Sequence, residues 1–172
     1  MFVATLLIMA AAGAVPEAEI LTQLRAGKML CANPDPEAKT CSSIDRYAAS
    51  GGNRFVNTGE VLLSADQGLT MEVTSMVRLE NGALCGALDL ADLRKARLRA
   101  NGVQLPAEQR AAMIGQMAEQ MAPLAGRKVC ETLRIEDGQL VKQGQMEGVD
   151  VALPSKPVIW ITPGSGYKVA AS

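Results

Sequence analysis

Apolar residues recur every three or four positions over residues 105–130, and this is the clearest periodic signal in the chain. At about 100° per residue, one arc of the helix carries apolar side chains and the opposite arc carries glutamate and glutamine. Pro106 suits a first helical position, and Glu108 suits the positive end of the helix dipole. Because Pro123 disfavours helical geometry at the preceding residue, we expect the helix to end near Ala122. The apolar arc holds Met113, Ile114, Met117, Ala118, Met121 and Leu124.

Most of the remaining chain alternates between apolar and polar residues. Such alternation indicates strands with one buried face, and turn residues separate the alternating segments. Asn81-Gly82 is a strong turn, because both residues tolerate positive φ in a type I′ hairpin. The pattern reverses briefly at Ser75 and Met76, which predicts a bulge or bend there. The predicted strands cover residues 29–32, 41–48, 54–64, 69–80, 83–88, 128–135, 139–145, 158–161 and 167–170.

Two shorter segments complete the predicted fold. Residues 15–26 begin with a proline near the start, carry apolar residues at helical spacing and are followed by Gly27, which favours a short helix. Asp89 can cap one helical turn, and Asn101-Gly102 predicts a hairpin after it. Together the elements predict an α+β fold, in which an antiparallel β-sheet, a meander, packs against one long amphipathic helix.

The chain begins with the apolar stretch MFVATLLIMAAAGA, which is too short to span a bilayer. It ends in Ala12-Gly13-Ala14, the small-residue pattern of a signal-peptidase site, although the usual basic start is missing. We expect residues 1–14 to be a signal peptide cleaved after Ala14, with a cut after Ala12 as an alternative. A buried N-terminal helix is the competing interpretation. Residues 15–172 are then expected to form a single α+β domain.

The four cysteines form an even set in an apparently exported chain, which favours two disulfides. A bond between Cys31 and Cys41 is favoured because the segment between them contains two prolines and makes a stiff turn. Cys85 and Cys130 would then tie the strand before the long helix to the strand after it. A zinc site is disfavoured, because the spacings contain no C-x-x-C pair. Cysteine usage therefore predicts a periplasmic or secreted protein.

Charge and composition exclude several classes of partner. The net charge is −1, which gives no broad electrostatic attraction to nucleic acid. Aromatic residues make up only 3% of the chain, too few for base-stacking platforms. No further apolar stretch is long enough to span a bilayer. We therefore expect no nucleic-acid partner and no membrane span after signal removal.

The sequence also lacks the residues of common catalytic sites. It has no histidine, which removes Ser-His and Cys-His nucleophilic pairs and imidazole metal sites. It contains neither a P-loop nor a dinucleotide-binding glycine run. A glycosidase needs two carboxylates at one site, but Asp45, Glu60 and Glu72 alternate on strands as solvent-facing residues would. We expect a protein that is not an enzyme and that carries no metal or cofactor.

Three features remain as candidates for interaction. The disulfide-closed turn presents an exposed loop, and a basic cluster follows the predicted short helix as a candidate patch for an anion or acidic partner. A solvated charged face is the favoured interpretation of the cluster. The methionines of the long helix are soft ligands that could bind Cu(I), although packing in a core is favoured. The loop residues are Asn33, Pro34 and Asp35, and the basic residues are Arg94, Lys95, Arg97 and Arg99.

The sequence predicts a role but no ligand. We expect a small exported, disulfide-stapled binding or assembly module of a bacterial-type cell envelope. Its partner would be an envelope protein, or a hydrophobic ligand held between helix and sheet. The alternative is a secreted enzyme inhibitor that presents the loop between Cys31 and Cys41.

Overall fold

The computed structural model describes residues 13–150 and 152–171. Strands take up 47% of the structure and helices 20%, so strands dominate the fold. Most of the predicted signal peptide, residues 1–12, lies outside the described residues, and its last two residues form the first strand. No helix in the described part of the chain is long and apolar enough to cross a membrane.

The described chain alternates between strands, three α-helices and one 3-10 turn. The helices are α1 (Glu17–Arg25), α2 (Leu90–Arg94) and α3 (Ala107–Met121), and the 3-10 turn covers Ala122–Leu124. The strands are β1 (Gly13–Ala14), β2 (Met29–Ala32), β3 (Thr40–Cys41), β4 (Ser43–Ala49), β5 (Arg54–Ser64), β6 (Leu69–Glu80), β7 (Ala83–Ala87), β8 (Arg97–Ala100), β9 (Val103–Gln104), β10 (Lys128–Glu136), β11 (Gln139–Met146), β12 (Lys156–Ile161) and β13 (Lys168–Val169).

Local sequence signals located these elements well. The bounds of β2, β5 and β6 are those predicted from alternation. Asn81 and Gly82 have φ of 52° and 75°, as a turn of type I′ requires. Asp89 caps α2, because its carboxylate accepts a hydrogen bond from the backbone N–H of Ala91 at 2.7 Å. Periodicity and turn chemistry therefore located the bounds of these elements.

Eight strands close into an antiparallel barrel, so the predicted open sheet packed against one long helix is wrong. Around the barrel the strands follow their order in the chain: β2, β4, β5, β6, β7, β10, β11 and β12. The ring closes where β12 pairs with β2, which sets Trp160 opposite Leu30. Alternation shows that one face of a strand is buried. It does not show that the first and last strands of a meander pair with each other.

One end of the barrel is filled with apolar side chains and covered by α1. Ile20 and Leu24 of α1 are buried against this interior. Glu17, at the start of α1, accepts a hydrogen bond from the backbone N–H of Gly82 at 2.8 Å, which ties the helix to the β6–β7 turn. The buried barrel residues of this first core are Leu30, Ala32, Tyr47, Phe55, Leu79, Leu84, Leu133 and Val158.

The segment between β7 and β10 builds a second, smaller core. The first half of β6 pairs with β8 and its second half with β7, and Ser75 and Met76 lie between the two halves. Pairing with β5 continues in register through these two residues, so the bulge predicted there is absent, and the irregularity of this pair lies at Leu62 and Ser64. α2 and α3 pack together beside this extension of β6. The long helix therefore covers a side extension and not the main sheet. The buried residues of the second core are Leu93, Ala96, Leu98, Ile114 and Ala118.

Two disulfides join the pairs of cysteines favoured in the sequence analysis. Cys31 bonds to Cys41, and Cys85 bonds to Cys130. Cys85 and Cys130 are directly opposite on neighbouring strands β7 and β10. The loops they close span 10 and 45 residues, which corresponds to about 3 and 4 kcal/mol of stabilisation on loop-entropy grounds. The bonds therefore supplement a modest core.

The methionine face of α3 provides a test of the second core. Its buried centre is formed by Ile114 and Ala118, whereas Met117 is only half-buried. We predict that Ile114→Ala lowers the free energy of unfolding by about 2–5 kcal/mol and that Met117→Ala lowers it less. Chemical denaturation measures both losses. A larger loss for Met117→Ala would contradict the packing, and a Cu(I) titration of the same variants tests the thioether alternative.

Candidate functional site

The interior of the barrel changes from apolar to charged along its axis. Asp45 on β4 precedes Tyr47 by two residues, and Glu131 on β10 precedes Leu133 by two residues, so each acid shares a face with a residue of the first core. Lys142 on β11 is directly opposite Leu133 and therefore also faces inward. Three charged side chains thus meet inside the barrel, next to the apolar core.

These three side chains form a buried ion cluster. The Lys142 Nζ lies 2.8 Å from Asp45 Oδ2 and 3.1 Å from Glu131 Oε1. The side chains of Lys142 and Asp45 are 9% and 12% exposed, whereas that of Glu131 is 33% exposed. Asn57 Nδ2 also donates to Asp45 Oδ1 at 3.4 Å. Glu131 is therefore the member of the cluster most open to solvent.

The cluster fixes the protonation of two groups at neutral pH. Burial alone would lower the pKa of Lys142, but the charges and hydrogen bonds of Asp45 and Glu131 outweigh burial and raise that pKa above its usual value. Burial, followed by the same two negative charges, raises the pKa of Tyr47 well above 10.0. Lys142 is therefore an ammonium and Tyr47 a neutral phenol. A nucleophilic lysine needs a lowered pKa, so Lys142 is suited to an electrostatic role.

Two polar atoms beside the cluster lack partners. Tyr47 and Asn57 are directly opposite on β4 and β5. The Tyr47 hydroxyl and Asn57 Oδ1 are buried, and neither has a hydrogen-bond partner among the described residues. An unpaired buried polar group costs about 1–3 kcal/mol. These atoms therefore add unused hydrogen-bonding capacity next to the ion cluster.

A cavity of about 360 Å³ opens next to the ion cluster. Val61, Val73 and Leu153 give it apolar walls. Gly59 also lines the cavity and leaves room for Asp45, because a Cβ at that position would lie 2.8 Å from Asp45 Oδ1. The volume is within the range of small-molecule sites. The other residues that line the cavity are Ser43, Asp45, Glu60, Glu131, Lys142, Gly144, Pro154 and Lys156.

The predicted loop candidates are not among the residues that line this cavity. Asn33 is exposed, and Pro34 and Asp35 are half-buried. Asp35 Oδ1 accepts hydrogen bonds from the backbone N–H groups of Glu37 and Ala38, each at 2.9 Å. The disulfide and these bonds hold the loop in one shape. Its role in binding stays a prediction.

Two of the four residues in the predicted basic cluster pair with carboxylates. Arg97 Nη1 lies 3.1 Å from Glu72, and Arg99 Nη1 lies 3.6 Å from Glu60 and 3.5 Å from Glu72. Two of its four charges are therefore matched by carboxylates on the outer face of the sheet. An anion site here stays a prediction. Arg94 and Lys95, at the end of α2, form no ion pair with a carboxylate among the described residues.

Sequence reasoning missed the ion cluster. It expected Asp45 to face solvent, but Asp45 is 9% exposed and points into the barrel. The expectation failed because alternation was assigned to faces without the barrel to say which face is inside. A detectable signal exists on β10 and β11, where Glu131 and Lys142 share faces with Leu133 and Leu140. A charge in an apolar stripe marks a buried partner or a cavity.

One group of side chains has the spacing of metal ligands. Glu80, Cys85 and Cys130 place their ligand atoms within 4.8 Å of one another. The two cysteines are joined in a disulfide and Glu80 pairs with Lys128, so the group offers no free thiolate to a metal. The ion cluster in the barrel is the stronger candidate site.

Comparison with known proteins leaves the geometry of the barrel as the basis for a functional argument. No protein-family model matches the chain, and no curated protein or solved structure matches it.

We predict that removing the buried ammonium destabilises the protein. Lys142→Met leaves Asp45 buried without its cation, so the free energy of unfolding should fall by about 3–5 kcal/mol. Lys156→Met is the matched control, because Lys156 is directly opposite Lys142 but exposed, and should change stability by less than about 0.5 kcal/mol. Denaturant titration compares them. Equal losses in the two variants would contradict the cluster.

The raised pKa of Lys142 predicts a pH dependence. Because the folded state holds this proton more tightly, its stabilisation is complete below the ordinary lysine pKa of 10.5 and declines as pH rises from there through the folded pKa. The difference in unfolding free energy between the parent and Lys142→Met should therefore shrink in alkali. Measuring both proteins with the additional change Tyr47→Phe removes the pH dependence of stability that comes from the raised pKa of the phenol. A difference that stays constant above pH 10.5 would be inconsistent with the raised pKa.

Proposed function

We propose that the protein is a small exported binding protein of a bacterial-type cell envelope that holds a small ligand in the open half of its barrel. The observation that best supports this proposal is that the interior has a filled apolar end and an open, charged end with a cavity of about 360 Å³. An eight-stranded barrel has an interior just wide enough to be filled by side chains or to hold one small ligand. In this barrel, side chains fill one half of the interior, and the other half has room for a small ligand.

The two disulfides support an oxidising environment outside the cytoplasm. They join strand segments whose cysteines are at most half-exposed, and none of the four cysteines is free. Export by a signal peptide and residence in a periplasm or the extracellular medium belong to the proposal.

The chemistry of the barrel supports binding without catalysis. Lys142 stays protonated and is held by two carboxylates, and the chain has no histidine to act as a base. The helix–sheet site expected from the sequence does not support a ligand, because α3 and the extension of β6 are joined by the packed second core. The barrel mouth is therefore the proposed site.

We predict that filling the cavity abolishes ligand binding. Val61→Phe adds a large side chain inside the cavity, and Val103→Phe makes the same change at a position that is 71% exposed. A fragment library screened by ligand-observed NMR should yield hits on the parent and on Val103→Phe. Those hits should be lost on Val61→Phe. Hits retained by a folded Val61→Phe would contradict a site in the barrel.

We predict that the mature chain begins near the end of the small-residue stretch. N-terminal sequencing of the protein from its native host should find Val15 at the start, or Gly13 if cleavage follows Ala12. The second cut would keep β1, which pairs with Ile135 and Arg134 of β10. Retention of Met1 in the native protein would refute export by this signal.

A secreted enzyme inhibitor is the second proposed function. It is supported by the rigid, exposed loop between Cys31 and Cys41, since inhibitors present loops of fixed shape. Capture of partners from an envelope extract with Asn33→Ala and Val61→Phe separates the two proposals. A captured enzyme that is lost with Asn33→Ala and retained with Val61→Phe would favour the inhibitor.

A further inference from the structure

The ion cluster in the barrel carries an excess of negative charge. Two carboxylates, Asp45 and Glu131, face the single ammonium of Lys142. Two further charged residues line the cavity. Glu60 is paired with Arg46 and Arg99 on the outer face, whereas Lys156 is an exposed cation at the rim, where water and salt screen its charge more than those of the buried cluster. An anionic ligand would add to a buried negative charge, whereas a cation would neutralise it.

Glu131 is the member of the cluster that a ligand can reach. Both oxygens of Asp45 are engaged, one by Lys142 and the other by Asn57. Glu131 bonds Lys142 through Oε1, and its side chain is the most exposed of the three. Its second oxygen has no partner among the described residues and belongs to a residue that lines the cavity.

The donors and the apolar part of a small organic cation fit the cavity. A primary ammonium carries three N–H donors. The apolar walls formed by Val61, Val73 and Leu153 suit a ligand with a hydrocarbon part.

We infer that the barrel binds a small organic ammonium ion, with its charged group at Glu131 and its apolar part against Val61 and Leu153. This inference rests on the proposed ligand site in the barrel and adds the charge of the ligand. The charge-assisted hydrogen bond to Glu131 sets the preference, and the apolar walls add burial of hydrocarbon surface.

Three probes of similar shape and different charge test this inference. They are benzylammonium, benzyl alcohol and benzoate, titrated into the intact protein at neutral pH and followed by two-dimensional NMR. Benzylammonium should shift signals of Gly59 and Gly144, which line the cavity, and should bind at least tenfold more tightly than benzoate. Benzyl alcohol should fall between them. Benzoate binding as tightly as benzylammonium would overturn the inference.

The variant Glu131→Gln removes the charge at nearly constant size. It should weaken benzylammonium binding at least tenfold and leave benzyl alcohol binding within twofold. Glu136→Gln on the same strand is the matched control, because Glu136 is one residue past the inward-facing Ile135 and pairs with Arg134 instead. Unchanged benzylammonium binding in a folded Glu131→Gln protein would also overturn the inference. Should that variant fail to fold, the ranking of the three probes on the parent still decides.

The outcomes separate this inference from the proposed function. Binding of benzyl alcohol or benzoate in the cavity, without preference for benzylammonium, would refute the inferred preference for a cation. The proposed ligand site in the barrel would still stand. If no fragment of any charge bound in the cavity of the parent protein, both the inferred cation preference and the proposed ligand site would be refuted.

Discussion

The ion pair between Lys142 and Asp45 crosses the interior of the barrel, and Glu131 on the far side also pairs with Lys142. β4 and β10 are four strands apart in either direction around the ring of eight, so the cluster joins opposite walls. Charges removed from water are costly unless they are paired. Each of the three side chains is therefore needed by the others. Gly59 is needed as well, because a side chain there would displace Asp45.

The cluster divides the barrel into a packed half and an open half. Below it, Phe55, Leu79 and Leu133 are each 1% exposed and fill the interior up to α1. Above it, glycine and valine leave a cavity. A well-packed core would have no reason to keep a charge cluster, because hydrophobic replacements of similar volume are often as stable. This is the reason for proposing a site in the unfilled half.

The two disulfides stabilise the wall of the barrel and lie outside its interior. Cys31 and Cys41 lie in a third small core with Ile44 and Ile161, on the outer side of the sheet, where β13 pairs with β3. Cys85 and Cys130 hold β7 to β10 where the inserted second core leaves and rejoins the barrel. Stability is thus supplied at the walls, and the open half of the interior does not have to supply it.

The sequence predicted elements better than it predicted their arrangement. Alternation located β5 and β6, and turn chemistry located the bend at Asn81 and Gly82, because these signals act over a few residues. Closure of the ring depends on β12 meeting β2, more than 120 residues apart in the chain, and has no local signature. The inward direction of Asp45 follows only from that closure. The disulfide pairing was accessible because proline stiffens one loop and leaves one partner for each remaining cysteine.

The central claim is that Asp45 and Lys142 stabilise each other inside the barrel, and a double-mutant cycle measures this directly. The free energies of unfolding of the parent, Asp45→Asn, Lys142→Met and the double variant are obtained by denaturant titration. We expect the double variant to lose about 1–3 kcal/mol less than the sum of the two single losses, because the second change removes a charge already left unpaired. Losses that add to within about 0.5 kcal/mol would show that the two residues do not interact and would contradict the account.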